Sequence, residues 1–209
     1  MPFADHRGWR VDTFQGRPQA RLAHLTARLV VRPIADSLLR TLFAIEVLDG
    51  PPPDRSILIS NHKSYWDPLL IATCDPRIKP LGNAYWFDHG PFPWYVRNVR
   101  ALPNDFRGVL AAVKHLQRGG IVWMAPAGYR GTCAAALESG AAHLAGLADA
   151  AVVPVMIEGM EHLPNLSLPR RPRHPVAVRY GEPHSLTSST TQEHHDRAWR
   201  EVLQAAEII

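Results

Sequence analysis

The sequence lacks several things, and each lack closes a class of reading. It holds only two cysteines, Cys74 and Cys133, far apart and without a CxxC pattern. A disulfide framework and a cysteine zinc site are therefore excluded, and the expectation is two reduced thiols acting as small core residues. No apolar run approaches the roughly 20 residues of a membrane-spanning helix. The stretch Met1–Gly16 is polar, with Asp5, Arg7, Arg10 and Asp12, and shows no signal-like apolar core. No internal repeat is visible, and no block of like charge marks a nucleic-acid patch. These absences lead to the expectation of a cytoplasmic protein, peripheral on the inner face of the membrane if it meets a membrane at all.

What remains is ordinary globular material. The 209 residues are 46% hydrophobic and 20% charged, with a formal net charge of +4. That length suits one domain with a core of its own. The mild basic excess fits an anionic substrate, an anionic membrane surface or an acidic carrier protein, and equally an arginine-rich soluble protein.

Arg21 to Leu48 reads as a helix, or two helices meeting at Pro33, with Leu22, Leu25 and Leu29 and then Ile34, Leu38, Leu42 and Ile45 along an apolar stripe. Residues 1–48 are thus expected as an N-terminal tail and amphipathic segment, and 49–209 as the main domain. Past the Asp49-Gly-Pro-Pro-Pro-Asp54 loop, short strands alternate with helices. Strands are expected at Ile57–Ser60, Lys79–Asn83, Val99–Pro103, Ile121–Ala125, Ala151–Ile157 and Val176–Tyr180. Helices are expected at Pro68–Cys74, Phe106–Gln117 and Cys133–Ala148, with a closing helix announced by Thr190 and Glu193. This alternation predicts a single α/β domain with a mostly parallel, mixed sheet flanked by helices on both faces.

Two stretches carry chemistry. After the apolar Ile57–Ser60 come Asn61, His62 and, five residues beyond the histidine, Asp67. An imidazole held by a carboxylate has its tautomer fixed and one ring nitrogen left to take a proton. The competing reading is a polar turn in which Asp67 caps the helix and His62 is exposed. The second stretch, Trp123-Met-Ala-Pro-Ala-Gly-Tyr-Arg-Gly131, runs from a strand through a turn to Arg130 at a helix start, a place suited to a phosphate or carboxylate. An ordinary βα loop is the alternative there. The aromatic segment Tyr85–Tyr95 reads as core or as an apolar surface that dips into lipid headgroups. Pro169-Arg-Arg-Pro-Arg-His174 reads as a solvated loop or as a contact for phosphates.

Taken together, these stretches resemble the glycerolipid acyltransferases of the lysophosphatidic acid acyltransferase family. Asn61-His-Lys-Ser-Tyr-Trp-Asp67 is similar to that family's N-H-x-S-x-x-D block, and Met124-Ala-Pro-Ala-Gly-Tyr-Arg130 stands where it has F-P-E-G-T-R. Leu137–Ala145, Val152–Val155 and Val176–Pro183 follow in the family's order, so the resemblance spans roughly residues 55–185. It implies transfer of an acyl group from acyl-CoA or acyl carrier protein to a lipid or small-molecule hydroxyl. His62 would be the general base, Asp67 its partner, and no metal or redox cofactor would be needed. Asn61, Gly128, Arg130, Arg100 and Arg107 would serve substrate binding. The chain departs from the pattern at Ala127 and Tyr129, where the family has glutamate and threonine, and Asn104 falls nearest the second-block arginine. The resemblance implies 1-acyl-glycerol-3-phosphate as the acceptor, giving phosphatidic acid, and the departures raise a non-lysophosphatidate acceptor as the alternative. A non-catalytic lipid-binding member and a thioesterase-like hydrolase are the rival readings.

Overall fold

The computed structural model describes residues 32–87, 100–125, 140–163, 167–185 and Gln204. Helix α1, Arg32–Leu42, runs without a loop into strand β1, Phe43–Leu48. Then come β2 (Ser56–Ser60), α2 (Asp67–Cys74), β3 (Ile78–Gly82) and a 3-10 turn at Ala84–Phe87. β4 (Leu102–Pro103), α3 (Phe106–Leu116) and β5 (Ile121–Met124) follow. The remainder is α4, described from Gly140 to Ala148, then β6 (Ala151–Glu158), β7 (His174–Tyr180) and β8 (His184–Ser185).

The strands form one sheet in the order β1-β7-β6-β2-β5-β3-β4, with β8 also on β6. β6, β2, β5, β3 and β4 are mutually parallel, and β1 is parallel to β7. The antiparallel pairings are β7 and β8 on β6. The expected mostly parallel sheet is what the chain builds.

β2 lies at the centre and is buried along its whole length, as an unbroken apolar strand in a parallel sheet must be. Its alternation divides the core. Leu58 packs with Leu39 of α1 and with Leu69, Leu70 and Ile71 of α2. Ile57 and Ile59 meet Ala112 and Leu116 of α3 and Leu144, Ala145 and Ala148 of α4. Helices therefore cover both faces, α1 and α2 on one, α3 and α4 on the other.

Two expectations are corrected. Phe43–Leu48 is a strand rather than the end of a helix, paired in register with β7 from Phe43↔His174 to Leu48↔Arg179. Its aromatic and β-branched residues fit a half-buried pleat, and the edge of β7 gives its backbone partners that a helix end would lack. The sheet thus includes residues assigned from the sequence to the amphipathic segment ending at 48. The inward face of α1 also differs. Leu39 is buried, with Ala35 and Leu42 packed beside it, whereas Ile34 and Leu38 are 63% and 58% exposed.

The two thiols separate. Cys74 is half-buried against the α1–α2 side of the core, where burial pushes its thiol up to about 12; Cys133 lies outside the described residues.

One glycine fixes how α3 meets the sheet. Asp105 caps α3 through a 2.7 Å bond from the Gly108 N–H. A Cβ on Gly108 would stand 1.7 Å from the carbonyl oxygen of Pro103, so helix and strand touch backbone to backbone. Gly108→Ala is expected to cost about 2–3 kcal/mol or more, because rigid main chain must separate to admit a methyl group. A urea midpoint indistinguishable from wild type would contradict that contact.

Candidate active site

The stretch after β2 does not form regular helix until Asp67, and its turns bring His62 and Asp67 together. His62 Nδ1 is 2.9 Å from Asp67 Oδ2. The same oxygen accepts from the backbone N–H of Lys63 at 2.8 Å and of Ser64 at 2.9 Å. Asp67 is only 1% exposed, and its position in the first turn of α2 suits a negative charge. Two N–H donors already face Oδ2, so the ring completes the set by donating from Nδ1, which leaves Nε2 as the acceptor nitrogen. The reading of Asp67 as a simple helix cap with His62 exposed is not what forms. No side chain caps α2, and His62 is 14% exposed.

The neighbours of the pair are fixed from below and beside. Asn61 is buried, donates from Nδ2 to the Ile157 carbonyl at 3.3 Å and accepts from the Ile157 N–H at 3.2 Å. Its amide continues the β2–β6 ladder past the end of β2. Ser64 Oγ donates to the Leu163 carbonyl at 2.6 Å, and Trp66 Nε1 donates to the Ser167 carbonyl at 3.0 Å. Lys63 Nζ reaches Glu161 Oε1 at 3.4 Å. Burial alone would raise the Glu161 carboxyl, but backbone N–H groups and Lys63 outweigh it and hold it below its usual value. The loop joining β6 to β7 is thereby tied across the end of the sheet where His62 sits.

The other predicted residues divide. Arg107 is exposed in the first turn of α3, at the same end of the sheet as His62. Asn104 lies there too, its N–H bonded to the Gly82 carbonyl at 2.8 Å and its side chain accepting from Ala84 N at 3.0 Å. Its amide oxygen holds the 3-10 turn. Arg100 precedes the two-residue β4, with its charge near Lys79 of β3 and His115 at the end of α3. β4 runs parallel to β3 and carries the chain from Arg100 toward the end of the sheet where His62 sits. Gly128 and Arg130, like Ala127 and Tyr129, lie outside the described residues. Sequence reasoning missed Ser60 and Trp123 as parts of the site. They meet each other across 63 residues of chain, and no local spacing signals that contact.

Among the described residues no three histidine, cysteine or acidic side chains gather as a metal site requires, and no helix is long and apolar enough to cross a membrane.

The arrangement defines a class. It is an α/β domain with a histidine–carboxylate pair just beyond the carboxyl end of its central parallel strand, the end at which such sheets place their sites. Comparison with known proteins takes this further. Residues 47–158, more than half of the chain, match the family described as Acyltransferase, and the chain belongs to that family. Among solved structures, it resembles the 1-acyl-sn-glycerophosphate (LPA) acyltransferase PlsC from Thermotoga maritima. The TM-score is 0.57 at 20% identity, covering 90% of this chain and 80% of that one, a likeness of fold. No curated protein matches the sequence.

Proposed function

We propose that this acyltransferase moves a fatty acyl group from acyl-CoA or acyl carrier protein to a hydroxyl acceptor, with His62 as general base. The observation that carries this reading is the 2.9 Å contact between His62 Nδ1 and a buried Asp67 oxygen that two backbone N–H groups also hold. In the proposed step Nε2 takes the acceptor's hydroxyl proton as that oxygen bonds to the thioester carbonyl carbon. The tetrahedral intermediate collapses by breaking the carbon–sulfur bond, and the departing thiolate receives the proton from the imidazolium. Asp67 orients the ring and balances its transient positive charge. Positioned proton transfer of this kind contributes about 10²–10⁴-fold. The chemistry calls for no metal and no cofactor beyond the donor.

Acceptor binding is assigned to Gly128, Arg130 and Arg107, with Asn61 fixing the backbone beneath His62. Ala127 and Tyr129 replace the glutamate and threonine of the family pattern, so the acceptor is proposed to be another lysolipid or a small alcohol rather than 1-acyl-glycerol-3-phosphate. Exposed Ile34, Leu38 and Leu168, the last close to Arg170 and Arg171, support peripheral contact with the inner face of a membrane.

Initial rates on lysophosphatidate and on a panel of lysolipids and alcohols test the acceptor. Loss of a charge-assisted contact predicts a kcat/KM for lysophosphatidate roughly ten- to a hundredfold below that of the preferred acceptor. Lysophosphatidate emerging as the best substrate would remove the acceptor clause and leave acyl transfer standing.

A further inference from the structure

The bond from His62 Nδ1 to Asp67 fixes one point of the imidazole. The structure supplies a second constraint. The Trp123 ring lies edge to face with His62, the centroids 6.0 Å apart and the planes at 86°. Such aromatic geometry is attractive in its own right and restricts the plane of each ring. Trp123 is itself fixed. It is 3% exposed, and its indole N–H donates to Ser60 Oγ at 2.9 Å. Ser60 is fully buried, and its hydroxyl donates in turn to the Asn61 carbonyl at 2.7 Å. That carbonyl belongs to the peptide joining Asn61 to His62, from which the histidine side chain hangs. One chain of contacts therefore fixes both the backbone carrying His62 and the plane of its ring.

We infer that Trp123 is a positioning residue for the acyl-transfer base. Together with Ser60, it clamps the His62 imidazole from the flank so that Nε2 keeps a constant aim. This rests on His62 being the base, and its consequences are separable from that claim. A base displaced by a fraction of an ångström still binds both substrates but takes the proton less often, so the effect falls on kcat. Buried at 3% exposure, Trp123 acts through His62. Leucine at this place keeps the burial and loses both the aromatic flank and the N–H. Phenylalanine keeps the flank and loses only the N–H.

The test compares Trp123→Leu and Trp123→Phe with wild type in steady-state kinetics, with thermal melting measured alongside. The expected outcome is a roughly tenfold fall in kcat for Trp123→Leu, KM for both substrates within about twofold, and recovery to within about threefold in Trp123→Phe. Wild-type kcat in a folded Trp123→Leu protein, or a loss carried by KM, overturns the inference. A second readout needs no stable Trp123 variant. The His62 Cε1 proton resonance of the native protein, assigned among the 11 histidines by its disappearance in His62→Gln, must be shifted by the indole ring current. A resonance at the ordinary position for a histidine overturns the inference whatever the variants do. His62→Ala with undiminished turnover would remove the base itself, a different failure.

Discussion

Replacing His62 by alanine is expected to lower kcat for acyl transfer by about 10²–10⁴-fold while the protein stays folded. The imidazole is the group placed to take the acceptor proton, and a bound water in the gap would be a far weaker base at neutral pH. The fold tolerates the change because the structural work of Asp67 survives it. Its Oδ2 keeps the Lys63 and Ser64 N–H donors after the ring is gone. Melting temperature and kcat should therefore part company, with a small shift in one and a collapse in the other. A folded His62→Ala protein turning over at the wild-type rate would end the assignment of His62 as base.

Asp67→Asn tests the other half of the pair by a different route. The amide oxygen has to occupy the Oδ2 position, because Lys63 N–H, Ser64 N–H and the His62 ring all donate there. The ring should keep its tautomer, and what disappears is the negative charge facing the imidazolium as it forms. A hydrogen bond to a charged group is worth about 1.5–3 kcal/mol, which translates to a fall in kcat of roughly ten- to a hundredfold, less than for His62→Ala. Stability should also drop. The amide NH2 would sit where Oδ1 does, a buried atom with no hydrogen-bond partner, and an unsatisfied buried donor costs about 1–3 kcal/mol. The double variant should be no slower than His62→Ala alone, because the two side chains act as a unit. Multiplicative losses in the double variant would show that Asp67 contributes independently of the histidine.

The sequence made the centre of the molecule legible and left its edges obscure. β2, α2, α3, β5 and β6 are bounded by turn residues or helix caps, Asp105 and Gly119 among them, and lie within one or two residues of where periodicity puts them. β1 was hidden because no breaker separates Leu42 from Phe43, and Ile34, Leu38, Leu42 and Ile45 happen to continue a helical period across the junction. Only the edge of β7, some 130 residues later, decides that Phe43–Leu48 is extended. The reversal of direction at β7 was equally invisible. The chain leaves β6 through Gly159 at φ 91° and returns through a loop, where a helical crossover would have kept it parallel.

At the site, the residue types at 61, 62 and 67 and a turn between them were readable, since regular helix would have kept His62 and Asp67 apart. The donors that hold Asp67 were not, because backbone N–H groups have no signature in a sequence. Trp123 and Ser60 likewise gain meaning only from a contact across the β2–β5 pairing.

The central claim is that His62 drives transfer to an acceptor rather than to water. Mass spectrometry of purified protein incubated with an acyl-CoA panel, with and without candidate acceptors, tests it most directly. The account predicts an acylated acceptor and thiol release that rises with acceptor concentration, both falling about 10²–10⁴-fold in His62→Ala. Free fatty acid released at the same rate whether or not an acceptor is present would contradict it and make the protein a hydrolase.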